Sequence, residues 1–387
     1  MKLLKIGSLN IPRNRWNDSL NYFDEVDVAC FSRETENDNL QYVKFNEKKL
    51  LNKLLIKLIN KMYRHSAFET LENVLFCILR FLNKGYINTI KNLEFDYVHS
   101  SYNYFDDSGI MTILLKNIIN HKPLIRAYKE TRKGYDYFEK KCIEMANITI
   151  LNTIETKKML ESKYGKSLFE GKKVLLGLDE DYRGRAVIDK EKNIKKLSKE
   201  DYKSHVVILA GECTSDCSIE RLGSRQYYVP MIKEMIENGL VVHIHTLKIH
   251  NTIDGDNLYQ KLQELYPDQL YIEPGLDFEN KPDESYEILG RYDFGVLHNF
   301  SLDDEVSEFD QINISHRFYE YQIAEVAPIV KKDTTIVEEE LILKNNCGVV
   351  YTELSELEHH LNDDFTFFTP SFADYLESVY INNKICH

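Results

Sequence analysis

Short β-rich runs alternate with amphipathic helical segments along this chain, and that alternation restricts its fold more than any other feature. The strand-like runs of the first half are Leu3–Leu9, Val26–Phe31, Leu40–Phe45, Tyr97–Ser100, Leu124–Tyr128 and Ile148–Asn152. Segments with helical periodicity lie between them at 47–64, 68–92, 106–120, 134–146 and 153–164. Strands separated by helices predict a parallel sheet with helices on both faces.

The second half repeats this pattern. Its predicted strands are Val206–Ala210, Leu240–His245, 270–273, Phe294–Leu297, Pro328–Val330 and Gly348–Tyr351. Its predicted helices are 226–238, 256–266, 283–290, 316–326 and 336–344. The sequence therefore predicts an α/β protein with two Rossmann-like sheets in tandem, and such sheets bind ligands at the carboxyl ends of their strands.

A charged stretch separates the two halves. The chain has 387 residues, which is too long for one ordinary domain. Residues 179–204 lack apolar periodicity and are rich in charge, as expected of a linker. We predict a first domain over 1–180, a linker over 181–204, a second domain over 205–365 and a helical segment over 366–387. That last segment either caps the second sheet or crosses back to the first.

The two halves differ sharply in charge. Residues 1–204 have 37 basic and 28 acidic side chains, whereas residues 205–387 have 12 and 34, so that +9 and −22 give the net −13. The acidic half argues against nucleic acid as a partner. The basic half is suited to an anionic membrane or an anionic substrate, unless the asymmetry serves only solubility.

The apolar runs and the cysteines of the sequence indicate the cellular compartment of the protein. No run reaches the roughly 20 apolar residues that span a bilayer, and the apolar stretch at the N-terminus is too short for a signal peptide. The 7 cysteines are scattered and odd in number, which argues against a disulfide scaffold. We expect a cytoplasmic protein.

Eight passages follow one another in an order that is informative as a set. The first half contains FDYVHSS (95–101), KPLIRAYKE (122–130), MANITILNTIETKKMLESKYG (145–165) and KKVLLGLDEDY (172–182). The second half contains HVVILAGE (205–212), RYDFGVL (291–297), ISHRFYEYQIAEVAPIV (314–330) and NNCGVVY (345–351). In this order the chain resembles the GT-B glycosyltransferases, and their large retaining group in particular, over nearly its whole length.

The resemblance implies two Rossmann-like domains facing a cleft, and an enzyme that transfers a sugar from a nucleotide-sugar donor. The acceptor would be a glycan, a lipid-linked saccharide or a protein, in cell-surface polysaccharide or glycoconjugate biosynthesis. The enzyme would be cytoplasmic, either free or peripheral at the cytoplasmic face of the membrane. Two alternatives on the same fold stay open, namely a non-hydrolysing sugar-nucleotide epimerase and a catalytically inactive binding protein.

The donor side is predicted at the opening of the second domain and in the 316–326 helix. A nucleoside diphosphate can be bound by a helix N-terminus and Arg side chains without a metal, so no metal or other cofactor is expected. The family's donor-binding Glu commonly lies seven residues before a Pro, but Glu320 precedes Pro328 by eight, so either Glu320 is shifted or Tyr321 occupies that position. The candidate donor-binding residues are Gly211, Glu212, Arg221, Arg225, Arg317, Glu320 and Tyr321.

The catalytic and acceptor candidates lie in the first domain. We predict that His99 follows an apolar strand and contacts donor sugar or acceptor, although a structural role is equally compatible. Lys129 and Glu130 replace the family's His-Asp pair, and Glu130 is a candidate general base if the reaction inverts the anomeric centre. Gly7 and Ser8, at the end of the first strand, are assigned to the acceptor.

Three short motifs are considered as metal sites and set aside. The spacing Cys213-x-x-x-Cys217 has no second pair, and His243-x-His245 alternates along a strand, where core positions explain it more simply. Asp254-Gly-Asp256 matches the metal-binding Asp-x-Asp of another glycosyltransferase fold but lies in a predicted polar turn.

The 47–64 segment is a basic amphipathic helix. Leu51, Leu54, Leu55, Leu58, Ile59 and Met62 share one face at helical spacing. Lys49, Lys53, Lys57 and Lys61 line another and are the candidate membrane-facing residues. Helices of this kind bind anionic lipid, although a core-packed helix with solvated lysines has the same pattern.

Overall fold

The computed structural model describes residues 2–7, 25–30, 41–44, 50–65, 67–102, 108–128, 134–176, 194–216, 226–278, 280–297 and 311–367. These residues form two compact units, one on each side of the gap between 176 and 194. Most of the predicted 366–387 segment lies outside the described residues.

The first unit is built on a parallel sheet. Its strands are β1 (Lys2–Ile6), β2 (Glu25–Cys30), β3 (Gln41–Lys44), β4 (Tyr97–Tyr102), β5 (Leu124–Tyr128), β6 (Ile148–Leu151) and β7 (Lys173–Leu176). They are ordered β3-β2-β1-β4-β5-β6-β7. The order reverses direction between β1 and β4, which is the arrangement of a doubly wound Rossmann sheet.

Helices cover this sheet. They are α1 (Leu50–Met62), α2 (Phe68–Leu82), α3 (Lys84–Lys91), α4 (Ser108–Leu114), α5 (Lys116–Ile119), α6 (Tyr137–Met145) and α7 (Ile154–Tyr164). Side chains cap two of them, since Asp136 accepts from the backbone N–H of Glu139 and Thr153 from that of Thr156. The predicted 68–92 helix is divided at Asn83, which ends α2 and precedes α3.

Two buried asparagines join α1 to α2. The Asn52 and Asn83 side chains exchange hydrogen bonds of 2.8 and 3.0 Å, and Asn83 also donates to the Leu79 carbonyl. The pair lies between helices that run in opposite directions, so it sets their alignment. A buried amide without such partners would cost about 1–3 kcal/mol.

Only part of the predicted apolar face of α1 enters the core. Ile59 is fully buried, and Leu55 and Met62 pack against the core at its edge. Leu51, Leu54 and Leu58 are exposed, while the polar Asn52 is buried. The apolar side chains of α1 are therefore divided between the core and the surface, so the alternative of a fully core-packed helix is not what the structure has.

The second unit repeats the architecture. Its strands are β8 (His205–Thr214), β9 (Val241–His250), β10 (Leu270–Pro274), β11 (Phe294–Val296), β12 (Ala327–Lys331) and β13 (Val349–Tyr351). They are parallel and ordered β10-β9-β8-β11-β12-β13. Its helices are α8 (Ser198–Asp201), α9 (Val229–Glu237), α10 (Leu258–Leu265), α11 (Pro282–Leu289), α12 (His316–Ile323) and α13 (Ile336–Asn345). The predicted α/β class with two parallel sheets is confirmed.

The predicted linker is in part a component of the second unit. Ser198 Oγ bonds Asp293 at 2.5 Å, and Lys196 Nζ donates to the carbonyls of Tyr292 and Glu325 at 2.6 and 2.8 Å. Residues 194–204 therefore pack on the second sheet. Among the described residues, no helix is both long enough and apolar enough to cross a bilayer.

Candidate functional site

The second sheet has a switch point between β8 and β11. From β8 the chain continues to β9 on one side, and from β11 it continues to β12 on the other. Ligands of open α/β sheets bind where such strands end, because the connections diverge and leave a crevice there. β8 pairs with β11 only at Val206 and Val207 but stays paired with β9 as far as Thr214.

The candidate donor-binding residue Gly211 lies inside a strand and not in a turn that follows it. β8 continues through Gly211 and Glu212, and a Cβ added at Gly211 would meet nothing within 4 Å. Glu212 accepts from His250 at 2.9 Å across the β8–β9 pair. Gly211 therefore lies in a projecting strand and is not required by a tight turn.

Arg317 lies at the carboxyl ends of the switch-point strands. It is half-buried in the first turn of α12, and its Nη1 donates to the carbonyl of Leu297, the residue after β11, at 3.3 Å. Burial raises the pKa of the Cys213 thiol to about 11, and the nearby Arg317 charge acts in the opposite direction. The guanidinium is held at the carboxyl end of β11, one of the two switch-point strands.

The start of α12 is anchored from two directions. Ser315 accepts from the Arg317 backbone N–H through its side chain at 3.4 Å, and the buried Glu338 accepts from the Ser315 N–H at 2.7 Å. An N-terminal helical turn exposes unpaired N–H groups and a partial positive charge. Together with Arg317, this end of α12 can bind a phosphate or diphosphate.

Glu320 and Tyr321 lie one turn further along α12. Glu320 is buried and accepts a hydrogen bond from the Tyr286 hydroxyl of α11. Tyr321 is fully buried, and its hydroxyl donates to the Val296 carbonyl at 3.2 Å. A Cβ added at Gly295 would lie 2.6 Å from the Tyr321 ring. Tyr321 therefore packs α12 onto β11, which leaves Glu320 as the candidate closer to Arg317 on the helix face.

Buried basic side chains occupy the central strands of the first unit. Lys5 on β1 and His99 on β4 are paired in register, with Nζ and Nδ1 at 2.8 Å, and both are fully buried. Burial, reinforced by the charges of Lys5 and Arg126, lowers the pKa of His99 well below 6.5. His99 is therefore neutral at pH 7, and its ring lies within hydrogen-bond distance of the Lys5 amine.

Arg126 on β5 is also fully buried and paired in register with Ser100. It bonds the Ser100 hydroxyl and, at 3.3 Å, the Ser108 hydroxyl, and it lies over the Tyr128 ring at 5.3 Å.

The prediction that His99 follows the end of its strand is wrong, since β4 continues to Tyr102. Gly7 follows β1 directly and has a φ of 113°. Sequence reasoning did not identify Lys5 or Arg126, because a cation within a strand usually indicates an exposed edge.

The histidines considered as metal ligands form a hydrogen-bonded chain instead. His205 Nδ1 lies 2.9 Å from His243 Nε2, and His243 Nδ1 lies 2.8 Å from Glu273. His245 is bonded to the Tyr292 hydroxyl and the Pro274 carbonyl, each at 2.8 Å. Within the described ranges, no group of three or more His, Cys, Asp or Glu has a metal-binding arrangement.

The remaining candidates have separate positions. Cys213 is buried beside Thr246, and Asp256 of the 254–256 turn pairs with Lys261 at 2.7 Å. Lys53, Lys57 and Lys61 are exposed on α1. Ser8, Lys49, Lys129, Glu130, Cys217, Arg221 and Arg225 lie outside the described residues, so their roles stay predictions.

No family model matches the chain, and no curated protein matches it in sequence. Its structure is similar to the N-terminal domain of trehalose-6-phosphate phosphatase from Candida albicans, with a TM-score of 0.53 and 10% identity over 94% of this chain and 89% of that one. It is also similar to Anabaena Alr3699/HepE in complex with UDP, with a TM-score of 0.50 and 12% identity over 93% and 88%. The likeness is one of fold, and at that level the predicted arrangement of two tandem Rossmann-like sheets is confirmed.

Proposed function

We propose that the chain is a glycosyltransferase whose second unit binds the nucleoside diphosphate of an activated sugar. The proposal rests on the position of Arg317, which brings a guanidinium to the carboxyl end of the switch-point strand β11 beside the start of α12. A diphosphate carries the charge and the oxygen geometry that a guanidinium and helix N–H groups bind.

Glu320 lies three residues after Arg317, and residues at this spacing share a helix face. We propose that its carboxylate accepts from the ribose hydroxyls while Tyr286 orients it from the other side. Departure of the diphosphate would be stabilised by Arg317 and by the α12 N–H groups, which are directed at charge that grows in the transition state. No step in this scheme requires a metal.

UDP is the first nucleotide to test, because the Anabaena protein of the same fold is described in complex with UDP. The acceptor is proposed as a glycan, a lipid-linked saccharide or a protein. Arg221 and Arg225, which precede α9 in the sequence, are proposed as further diphosphate contacts.

The decisive experiment incubates the purified full chain with a panel of UDP-, GDP- and ADP-sugars and follows nucleotide release and sugar identity. Slow release of the nucleoside diphosphate with an unchanged sugar, accelerated by a suitable acceptor, is the expected result. Interconversion of two sugar nucleotides would replace the proposal with an epimerase. Absence of binding to every nucleotide in the panel would overturn an enzymatic role and favour a binding protein.

A further inference from the structure

Helices α1 and α2 form a hairpin whose outer surface is unusually apolar. On α1, Leu50, Leu54 and Leu58 follow one another at intervals of four residues and are 73%, 55% and 43% exposed. On α2, Phe81 is 80% exposed, and Leu71, Val74 and Ile78 are exposed with it. Isolated exposed apolar residues are ordinary, but two aligned rows of them indicate an interaction surface.

Both rows lie on the same helical hairpin. The Asn52–Asn83 bonds join the beginning of α1 to the end of α2, so the two helices run antiparallel. Arg80, on the flank of α2 opposite its apolar row, donates to the carbonyls of Ile113 and Leu114 on α4 at 2.8 and 3.0 Å. The apolar row of α2 therefore lies away from its contact with α4 and stays exposed.

Positive charge borders this surface. Lys53, Lys57 and Lys61 are exposed along α1 at intervals of four residues, so they form a row beside the exposed leucines of this helix. α1 has no acidic residue. The two acids of α2 are already paired with other helices, Glu69 with Lys140 at 3.0 Å and Glu72 with Lys116 at 2.8 Å. The lysines are therefore available to an external anion.

We propose that the outer face of the α1–α2 hairpin docks on an anionic membrane surface. Leucine and phenylalanine side chains would enter the boundary between headgroups and acyl chains, while the lysines would extend their ammonium groups to lipid phosphates. The combination favours lipid over a protein partner, because an exposed apolar row flanked on one side by evenly spaced lysines matches the layered polarity of a bilayer. The inference goes beyond the proposed function and does not depend on it.

Salt should affect the electrostatic and the apolar parts of this membrane binding differently. Each basic residue near an anionic surface contributes to binding, and the attraction is screened over about 8 Å at physiological salt. Binding should therefore weaken steeply as salt is added. The apolar contribution, in contrast, should persist.

The test is co-sedimentation of the full chain with phosphatidylserine-containing vesicles, with pure phosphatidylcholine vesicles as the comparison. We expect binding to the anionic vesicles only. The triple variant Lys53→Glu, Lys57→Glu, Lys61→Glu should bind on the order of 100-fold more weakly. The variant Leu50→Gln, Leu54→Gln, Phe81→Gln should bind more weakly by a factor of at most about ten. The binding that this variant retains should be lost at high salt.

The matched control is Lys158→Glu, Lys166→Glu, Lys173→Glu, which makes the same change in net charge at exposed lysines elsewhere in the first unit. It should bind nearly as well as the natural chain, and circular dichroism should show all three variants folded. Failure of the natural chain to sediment at low salt would overturn the proposal. Equal weakening by the control and the α1 variant would also overturn it, since attraction would then be a matter of net charge alone. Sedimentation does not involve nucleotide, so this result is separate from that of the nucleotide panel.

Discussion

Arg317 Nη1 donates a hydrogen bond to the carbonyl oxygen of Leu297, 3.3 Å away, and so connects the first turn of α12 to the end of β11. The bond uses one of the five N–H donors of the guanidinium. The side chain is only half-buried, so the other N–H donors of the guanidinium can reach a ligand at the strand ends. The residue is thus oriented before a ligand arrives.

Replacement of Arg317 by Ala should lower the affinity for UDP about tenfold or more. Charge-assisted hydrogen bonds are worth roughly 1.5–3 kcal/mol each, and the lost bond to Leu297 affects stability much less. Isothermal titration calorimetry measures the affinity, and thermal unfolding checks the fold. Arg291→Ala, at an exposed arginine of the same unit, is the control and should bind UDP normally. Equal affinity in the natural chain and the Arg317→Ala variant would remove Arg317 from the donor site.

Replacement of Gly295 by Ala should destabilise the second unit by about 1–3 kcal/mol. The added Cβ would lie 2.6 Å from the Tyr321 ring, and overpacking in a core forces backbone shifts of that cost. Gly211→Ala is the matched control, because its Cβ would meet nothing within 4 Å. Urea unfolding measures the unfolding free energy of both single variants. The double variant Gly295→Ala, Tyr321→Leu should recover part of the stability that Gly295→Ala loses. The same unfolding free energy for the two single variants would contradict this packing argument.

Stability of the first unit should fall as the pH is lowered below 6.5, and His99 should account for part of the decrease. Its pKa is well below 6.5 in the folded chain because of burial and the charges of Lys5 and Arg126. Below pH 6.5 the unfolded chain binds a proton that the folded chain does not, so the unfolding free energy falls by up to about 1.4 kcal/mol per pH unit. The contribution of His99 to the unfolding free energy is fully present above pH 6.5.

Urea unfolding of His99→Gln at several pH values tests this expectation. Glutamine can accept from Lys5 but does not titrate, so the variant should show a shallower slope in the acidic range. His121→Gln, at an exposed histidine of the same unit, should keep the natural slope. If the unfolding free energies of the natural chain and of His99→Gln change in parallel with pH, the pKa of His99 does not differ between the folded and the unfolded chain.

Transfer or donor hydrolysis should survive EDTA. The phosphate partners proposed here are Arg317 and the N-terminus of α12, which need no divalent cation. Initial rates with and without the chelator, followed by addition of Mn²⁺ or Mg²⁺, provide the measurement. Loss of activity that Mn²⁺ restores would return attention to Asp254 and Asp256, and the variant Asp254→Asn, Asp256→Asn would then identify the ligands.

Periodicity predicted the architecture because both sheets are buried by helices, and burial on two faces leaves apolar runs that are visible locally. The strand ends were less predictable. β8 and β9 continue past Ala210 and His245 through polar residues to Thr214 and His250. These extensions pair mainly with each other, so they lack the apolar signal of a covered sheet.

The site was only partly accessible to sequence reasoning. Arg317 and Glu320 became candidates through the family resemblance, and Ser315 has the local pattern of a helix N-cap. Tyr286 and Glu338 left no such signal, because they meet α12 from helices 34 and 23 residues away along the chain. Contacts of this kind depend on how helices pack, which a single sequence does not record.

The reciprocal amide pair of Asn52 and Asn83 gives the α1–α2 hairpin one discrete alignment. Sliding one helix past the other by a turn would strand both amides among apolar side chains, and each lost partner costs about 1–3 kcal/mol. A hairpin joined by leucines alone would have no such preference and would sample several offsets. The chemistry that the hairpin presents outward is therefore determined by two polar groups that never reach the surface themselves.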